Sequence, residues 1–268
     1  MEAAKEQVKD FWQEASCGEV YAVGETAEEQ FRSHRAERYR LEPYILGFAR
    51  FGHGRGQDVL EIGVGMGADH AEWAQAQPRR LFGIDLTPAA IDWTRRRLSH
   101  LGLSSELRVG DAEHLDFPDD SFDIVYSWGV LHHTPDTSAA VAEVHRVLRP
   151  GGTARIMIYH RPSFVGLLLW LRYGLLAGQP RRSMSDLYAA HLESPGTQGF
   201  TVAEGRELMA AFSDVDVRSQ VGFGDLLEGE VGQRHTSMVL RVMKRVWPRP
   251  LIRRLNRLGL MLLIEARK

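Results

Sequence analysis

From residue 58 onward, short apolar runs bounded by turn residues alternate with longer stretches whose apolar positions recur at helical spacing. Val59, Leu60 and Ile62 read as a short buried strand, closed by the glycine-rich turn at 63–67. Residues 68–77 have helical composition, so that turn opens onto a helix N-terminus. A strand follows at 81–85, and Thr87-Pro88 begins a helix at 88–101, with proline at its first position. Next come a strand near 106–110, an acidic loop, a strand at 122–126 and a helix at 137–148 with Val141, Val144, Val147 and Leu148 on one face. Pro150-Gly151-Gly152 stops that helix, and 153–159 is a fifth strand. Strands alternating with helices of this length predict an α/β fold with a parallel sheet covered on both faces.

The flanks are organised differently. Residues 1–51 read as an N-terminal helical cap, with Phe11 and Trp12 packing a first helix and Pro43 breaking the helix over 27–51. Cys17 and Tyr21 there either line a pocket or pack. Residues 52–160 hold the alternating strands and helices, the half expected to bind a ligand at its strand ends, and 161–200 form an insertion. Within the insertion, residues 163–178 are apolar on nearly every side, yet too short to cross a membrane and interrupted by Arg172. They read as a lid over an acceptor pocket, or as core padding or a homodimer contact. A second lid helix is expected from Met184, and a turn at 194–196. In 201–268, Thr201 and Glu204 form a capping box for a helix at 202–212, and strands follow at 213–221 and 259–266.

Composition narrows the function classes. A net charge of −2 over 268 residues gives no general signal for nucleic acid. The single cysteine excludes an internal disulfide and a cysteine-based metal cluster, and fits a reducing cytosol. The polar, charged start reads as having no signal peptide. Residues 234–268 alone carry +9, with Trp247 and several leucines interleaved. That segment is a solvated face, a peripheral contact with anionic membrane, or a site for an anionic acceptor.

Ligands of parallel sheets sit outside the carboxyl ends of the strands. Glu61, Asp85, Asp111 and Ser127–Trp128 fall on that rim. Gly63, Gly65 and Gly67 let the backbone approach a ligand that a Cβ would obstruct. A carboxylate at Asp85 suits a ribose diol, and Asp111 with the N–H of Ala112 suits the edge of an adenine. Acids at three consecutive strand ends resist burial unless a donor-rich, positively charged cofactor lies among them. His132, His133 and His160 also reach the rim. His133 and His160 are the candidate catalytic bases; no metal site is expected, because an adjacent histidine pair is not a ligand set.

VLEIGVGMG, FGIDLT, GDAEHLDFPDDSFDIVYSWGVLHH and LRPGG, in this order over 58–160, resemble the successive motifs of class I S-adenosylmethionine-dependent methyltransferases. The resemblance is to the small-molecule branch, which includes quinone-ring C-methylases and natural-product O- and N-methylases. It implies a Rossmann-like seven-stranded sheet whose last strand is antiparallel. It also implies that Gly63 and Gly65 approach the methionine part and that Glu61 orients its ammonium. Asp85, with Leu86 beside it, would hold the ribose; Asp111 and Ala112 would hold the adenine; the backbone at Ser127–Trp128 would close over the cofactor. The expected activity is methyl transfer from S-adenosylmethionine to a small, substantially apolar metabolite at oxygen, nitrogen or carbon, releasing S-adenosylhomocysteine. Gly63-x-Gly65-x-x-Ala68 also satisfies a relaxed dinucleotide fingerprint, so an NAD-binding oxidoreductase is the enzyme alternative. A cofactor-binding protein without catalysis is the other.

Overall fold

A computed structural model describes residues 2–228, 244, 245 and 247–268. The chain opens with helix α1 (Glu2–Glu14), α2 (Ala27–Leu41) and α3 (Tyr44–Ala49). Thr26 and Glu29 cap α2 reciprocally, and Pro43 separates it from α3 as its sequence predicts. The alternating part runs β1 (Asp58–Ile62), α4 (Ala68–Gln75), β2 (Arg80–Asp85), α5 (Pro88–His100), β3 (Glu106–Val109), β4 (Phe122–Trp128), α6 (Thr137–Val147) and β5 (Leu148–Tyr159). The insertion holds α7 (Phe164–Trp170) and α8 (Met184–His191). The chain then completes the sheet through α9 (Val202–Leu208), β6 (Ser213–Gln220), α10 (Arg249–Arg254) and β7 (Met261–Arg267).

The seven strands lie in the order β3-β2-β1-β4-β5-β7-β6. The pairs β1–β2, β1–β4, β2–β3 and β4–β5 are parallel, while β7 runs antiparallel to both β5 and β6. This is the Rossmann-like seven-stranded sheet with its last strand reversed. Successive residues of a strand face opposite sides. Leu60, Ile62, Val125, Ile156 and Ile264 accordingly pack with Val141 and Val144 of α6 on one face. Val59, Ile124, Tyr126, Met157 and Leu263 pack with Ile45, Phe48 and Trp73 on the other.

Four expectations need correction. The Leu148–Gly152 stretch does not separate α6 from β5: Leu148 already pairs with Phe122, and the strand continues through a register shift against β4, with Gly151 at φ +80°. The helix expected to 212 ends at Leu208. The apolar stretch 163–178 is not buried on all sides, since Leu167, Leu175 and Leu176 are exposed, Leu176 at 82%. In the basic C-terminal segment, where a single helix would present Arg253, Arg254 and Arg257 together, the chain does not form one. α10 stops at Arg254 and a 3-10 turn, Asn256–Leu258, carries Arg257. The remainder of the 234–268 reading, at 234–243 and 246, lies outside the described residues. Among the described residues no helix is long and apolar enough to cross a membrane.

Candidate active site

A cavity of about 200 Å³ opens at the carboxyl ends of the parallel strands. One ordered water needs only about 10–15 Å³ on such a scale, so the space takes a sizeable ligand. The turn after β1 forms its floor. The N–H groups of Gly63 and Val64 both donate to the Ile84 carbonyl, at 2.8 and 3.1 Å, which pins the turn against β2. Gly63 has φ +82°, and a Cβ there would fall 2.0 Å from Val130 Cγ2. Gly65, at φ +50°, faces open space: a Cβ would meet nothing within 4 Å, so this is the point where the backbone is bare to the cavity. Gly67 caps α4 in the left-handed conformation.

The three strand-end acids all line this cavity. Glu61 is buried, with Oε2 2.9 Å from His70 Nδ1, and His70 Nε2 lies 2.7 Å from Ser105 Oγ. Burial, reinforced by the Asp69 charge, pushes Glu61 well above the usual carboxylate range. Burial drives His70 down to about 3, so it is neutral. Asp85 accepts from the Gly65 N–H at 3.0 Å on one oxygen; on the other it accepts from the Thr87 N–H and hydroxyl, at 3.0 and 2.9 Å. Burial raises its pKa despite those donors. Asp111 accepts from the Glu113 N–H at 2.9 Å and from Lys5 Nζ at 2.6 Å. Burial opposes its charge, but these donors outweigh it and hold Asp111 low. Lys5 also reaches Glu113 at 2.6 Å. The Asp111, Glu113 and His114 ligand atoms approach within 4.8 Å of one another, and Lys5 Nζ lies between the two acids, paired with each.

Leu86, Ala112 and Trp128 line the cavity where the sequence expects them. Ser127 does not: it is fully buried in β4, and its hydroxyl donates to the Ile62 carbonyl at 3.1 Å. The neighbouring Gly129 and Val130 take its place in the wall. The two candidate bases separate. His133 lines the cavity, its Nδ1 2.8 Å from Ser194 Oγ and 3.1 Å from Thr197 Oγ1. Its Nε2 lies 3.3 Å from Glu193 Oε2, without the alignment of a hydrogen bond. His160 stands outside the cavity, donating from Nδ1 to the Gly259 carbonyl at 3.0 Å and lining a surface pocket beside Val202 and Arg218.

The lid is also elsewhere than expected. Among the described residues, no side chain of 163–178 reaches the cavity; from the insertion only Glu193 does. The covering comes instead from the N-terminal cap, with Lys5, Val8 and Trp12 of α1 and Arg38 of α2. Cys17 does line the cavity, whereas Tyr21 does not. Sequence reasoning missed Lys5, Arg38 and Glu42 as site residues. Arg38 makes two bonds to Asp69, at 2.8 and 2.6 Å, and Asp69 also accepts from Tyr39 at 3.0 Å and Tyr126 at 2.8 Å. No local signal marks such a cluster, because its members come from three separate elements; the nearest clue was an arginine among aromatics in an otherwise polar helix.

Residues 60–156 match the protein family described as a methyltransferase domain. The chain is 34% identical over 116 residues to sterol 24-C-methyltransferase erg-4 of Neurospora crassa, a match covering 42% of this chain and 30% of that protein. It is 37% identical over 121 residues to a fatty-acid O-methyltransferase of Mycolicibacterium smegmatis, covering 45% and 43%. The chain thus spans less than half the length of either curated relative. A solved phosphoethanolamine N-methyltransferase of Haemonchus contortus, in complex with phosphomonomethylethanolamine and S-adenosylhomocysteine, shares the fold. Its TM-score is 0.60 at 18% identity, over 97% of this chain and 60% of that one.

Proposed function

We propose that this chain, a class I S-adenosylmethionine-dependent methyltransferase, methylates a small, substantially apolar metabolite and releases S-adenosylhomocysteine. The observation that carries the reading is a single cavity shared by two kinds of wall. Glu61, Asp85 and Asp111 line it at the ends of β1 and β2 and just after β3, while Trp12, Trp128, Met157 and Met261 bring apolar surface from α1, β4, β5 and β7. The residues fit the cofactor, because the bare backbone at Gly65 leaves room that any side chain would fill.

In this reading Asp85 and Asp111, with Ala112 and Leu86, hold the ribose and adenine. Glu61 faces the ammonium of the methionine part, and the glycine turn passes under it. The bound cofactor supplies a sulfonium whose methyl carbon is electrophilic. The protein's contribution is then largely positioning: holding the acceptor atom about 3–3.5 Å away and in line replaces a rare encounter. α1 excludes water, with Lys5 tied across Asp111 and Glu113. Where the acceptor must lose a proton, His133 Nε2, a cavity-wall atom without a hydrogen-bond partner among the described residues, would take it. Exposed Leu251, Leu255 and Leu258 beside Arg254 and Arg257 support a peripheral contact of the C-terminal segment with anionic membrane.

Incubating the protein with isotopically labelled S-adenosylmethionine and a metabolite extract tests the activity by mass spectrometry. A labelled small molecule appearing with S-adenosylhomocysteine supports it. Tight cofactor binding with no labelled product from any extract points to a non-catalytic binder. Calorimetry in which NAD binds more tightly than S-adenosylmethionine refutes the cofactor assignment in favour of an oxidoreductase.

A further inference from the structure

The β4–β5–β7 side of the cavity carries polar groups for which cofactor binding has no use. Glu42, directly after α2, is 6% exposed; it accepts from the Tyr44 hydroxyl at 3.2 Å and lies 3.7 Å from an Arg38 nitrogen. Glu193, beyond α8, accepts from the Tyr159 hydroxyl at 2.8 Å. His133 Nε2 and the Ser16 hydroxyl, the latter 4% exposed, are buried cavity-lining atoms with no hydrogen-bond partner among the described residues. Opposing cations are already committed. Of the lining side chains among the described residues, Lys5 is bound to Asp111 and Glu113, and Arg38 is bound to Asp69. The local field is therefore negative.

Buried polar atoms without partners, such as His133 Nε2 and the Ser16 hydroxyl, are rare in folded proteins and call for an explanation. Here acceptors outnumber donors: Glu42 and the partly exposed Glu193 each accept from one tyrosine only and keep lone pairs free, beside the unpartnered imidazole nitrogen of His133. A ligand carrying N–H donors and positive charge supplies what is missing. We infer, resting on the methyltransferase reading, that the methyl acceptor is an amine with an apolar body, bound as its ammonium by Glu42 and Glu193 and methylated on nitrogen. A carboxylate or phosphate acceptor would meet charges of its own sign, and an alcohol offers a single donor to several acceptors. The apolar body lies against Trp12, Trp128, Met157 and Phe223.

The step balances. The ammonium gives one proton to His133 Nε2, which frees the nitrogen lone pair. That pair forms the bond to the methyl carbon as the carbon–sulfur bond breaks, its electrons remaining on the now neutral sulfur. The product is the N-methylated ammonium, and His133 returns its proton to solvent when the site opens.

The test uses three compounds with one body and different heads: phenethylamine, 2-phenylethanol and phenylacetate. Each is titrated calorimetrically into the full chain saturated with S-adenosylhomocysteine. The expected result is that phenethylamine binds at least about tenfold more tightly than the alcohol and that phenylacetate binds weakest. Glu42→Gln and Glu193→Gln should each weaken the amine about tenfold while leaving the affinities for 2-phenylethanol and S-adenosylhomocysteine unchanged. Equal or tighter binding of the alcohol or phenylacetate overturns the inference, as does an amine affinity indifferent to both variants. No binding of phenethylamine to the loaded protein overturns it too. The wild-type series stands even where a variant folds poorly. The preceding S-adenosylhomocysteine titration shows separately whether the cofactor reading survives.

Discussion

Replacing Arg38 by leucine would leave Asp69 as an unpaired carboxylate in the protein interior. The Asp69 side chain is 3% exposed and that of Arg38 20%, and the pair is joined by bonds of 2.8 and 2.6 Å. Burial alone would raise the Asp69 pKa; the Arg38 charge and bonds, with those of Tyr126 and Tyr39, outweigh it and hold the group low. Removing one partner of a buried pair destabilises by about 3–5 kcal/mol. The two tyrosine donors remain, so we expect the lower end, about 3 kcal/mol, read as a fall in melting temperature of roughly 6–12 °C. The double variant Arg38→Leu/Asp69→Asn removes the stranded charge and should recover at least about half of that loss. The pH dependence has a definite sign. A depressed carboxylate contributes stability above its unfolded pKa, and that contribution disappears as pH falls, so the gap between wild type and Arg38→Leu should narrow in acid. Arg38 also counteracts the burial that raises Glu61, so the variant should bind S-adenosylhomocysteine more weakly. Urea unfolding followed by tryptophan fluorescence measures the stabilities, and calorimetry the affinity. An Arg38→Leu variant within about 1 kcal/mol of wild type, or a double variant no better than the single, refutes the reasoning.

Further outcomes follow from the same geometry. Asp85→Ala removes the acceptor of three chain hydrogen bonds as well as the proposed ribose ligand, so S-adenosylmethionine affinity should fall at least about tenfold by calorimetry; unchanged binding would dismiss the ribose role. Lys5→Ala unties α1 from Asp111 and Glu113, and stopped-flow fluorescence should show S-adenosylhomocysteine leaving several-fold faster (about 3–10-fold) with little change in melting temperature. Burial raises Glu42 to about 7, so its contribution to stability is present in acid and lost as pH rises toward neutrality. Glu42→Gln should therefore gain on wild type by about 2–3 kcal/mol between pH 5 and 8 in urea titrations, and a pH-independent difference would exclude a raised pKa. Vesicles rich in phosphatidylserine should co-sediment the protein at low salt and release it at high salt, with Arg253, Arg254 and Arg257 changed to glutamate abolishing the effect; wild-type protein remaining in the supernatant at low salt would leave the segment a solvated face.

The alternating sheet was legible because its information is local. Strand period, turn glycines and caps such as Thr87 and Thr201 lie within a few residues of the structure they specify, and β1, β2, α5 and β3 appear within one residue of their expected ends. The strand-end acids were legible for the same reason, since the end of a parallel strand is a known address for a ligand. Tertiary structure alone decided what closes the cavity. Lys5 meets Asp111 across 106 positions and Arg38 meets Asp69 across 31, distances over which a sequence carries no register. His133 and His160 both follow strands at one rim, yet the Gly259 carbonyl, brought in just ahead of antiparallel β7, draws only His160 away from the cavity. The stretch 163–178 shows the limit most directly. Apolar composition demands a partner surface but does not name one, and the hydrophobic effect is non-directional. The fold buries Leu169 against the sheet side, leaves Leu176 in solvent, and gives the lid to the amphipathic helices of the first 50 residues instead.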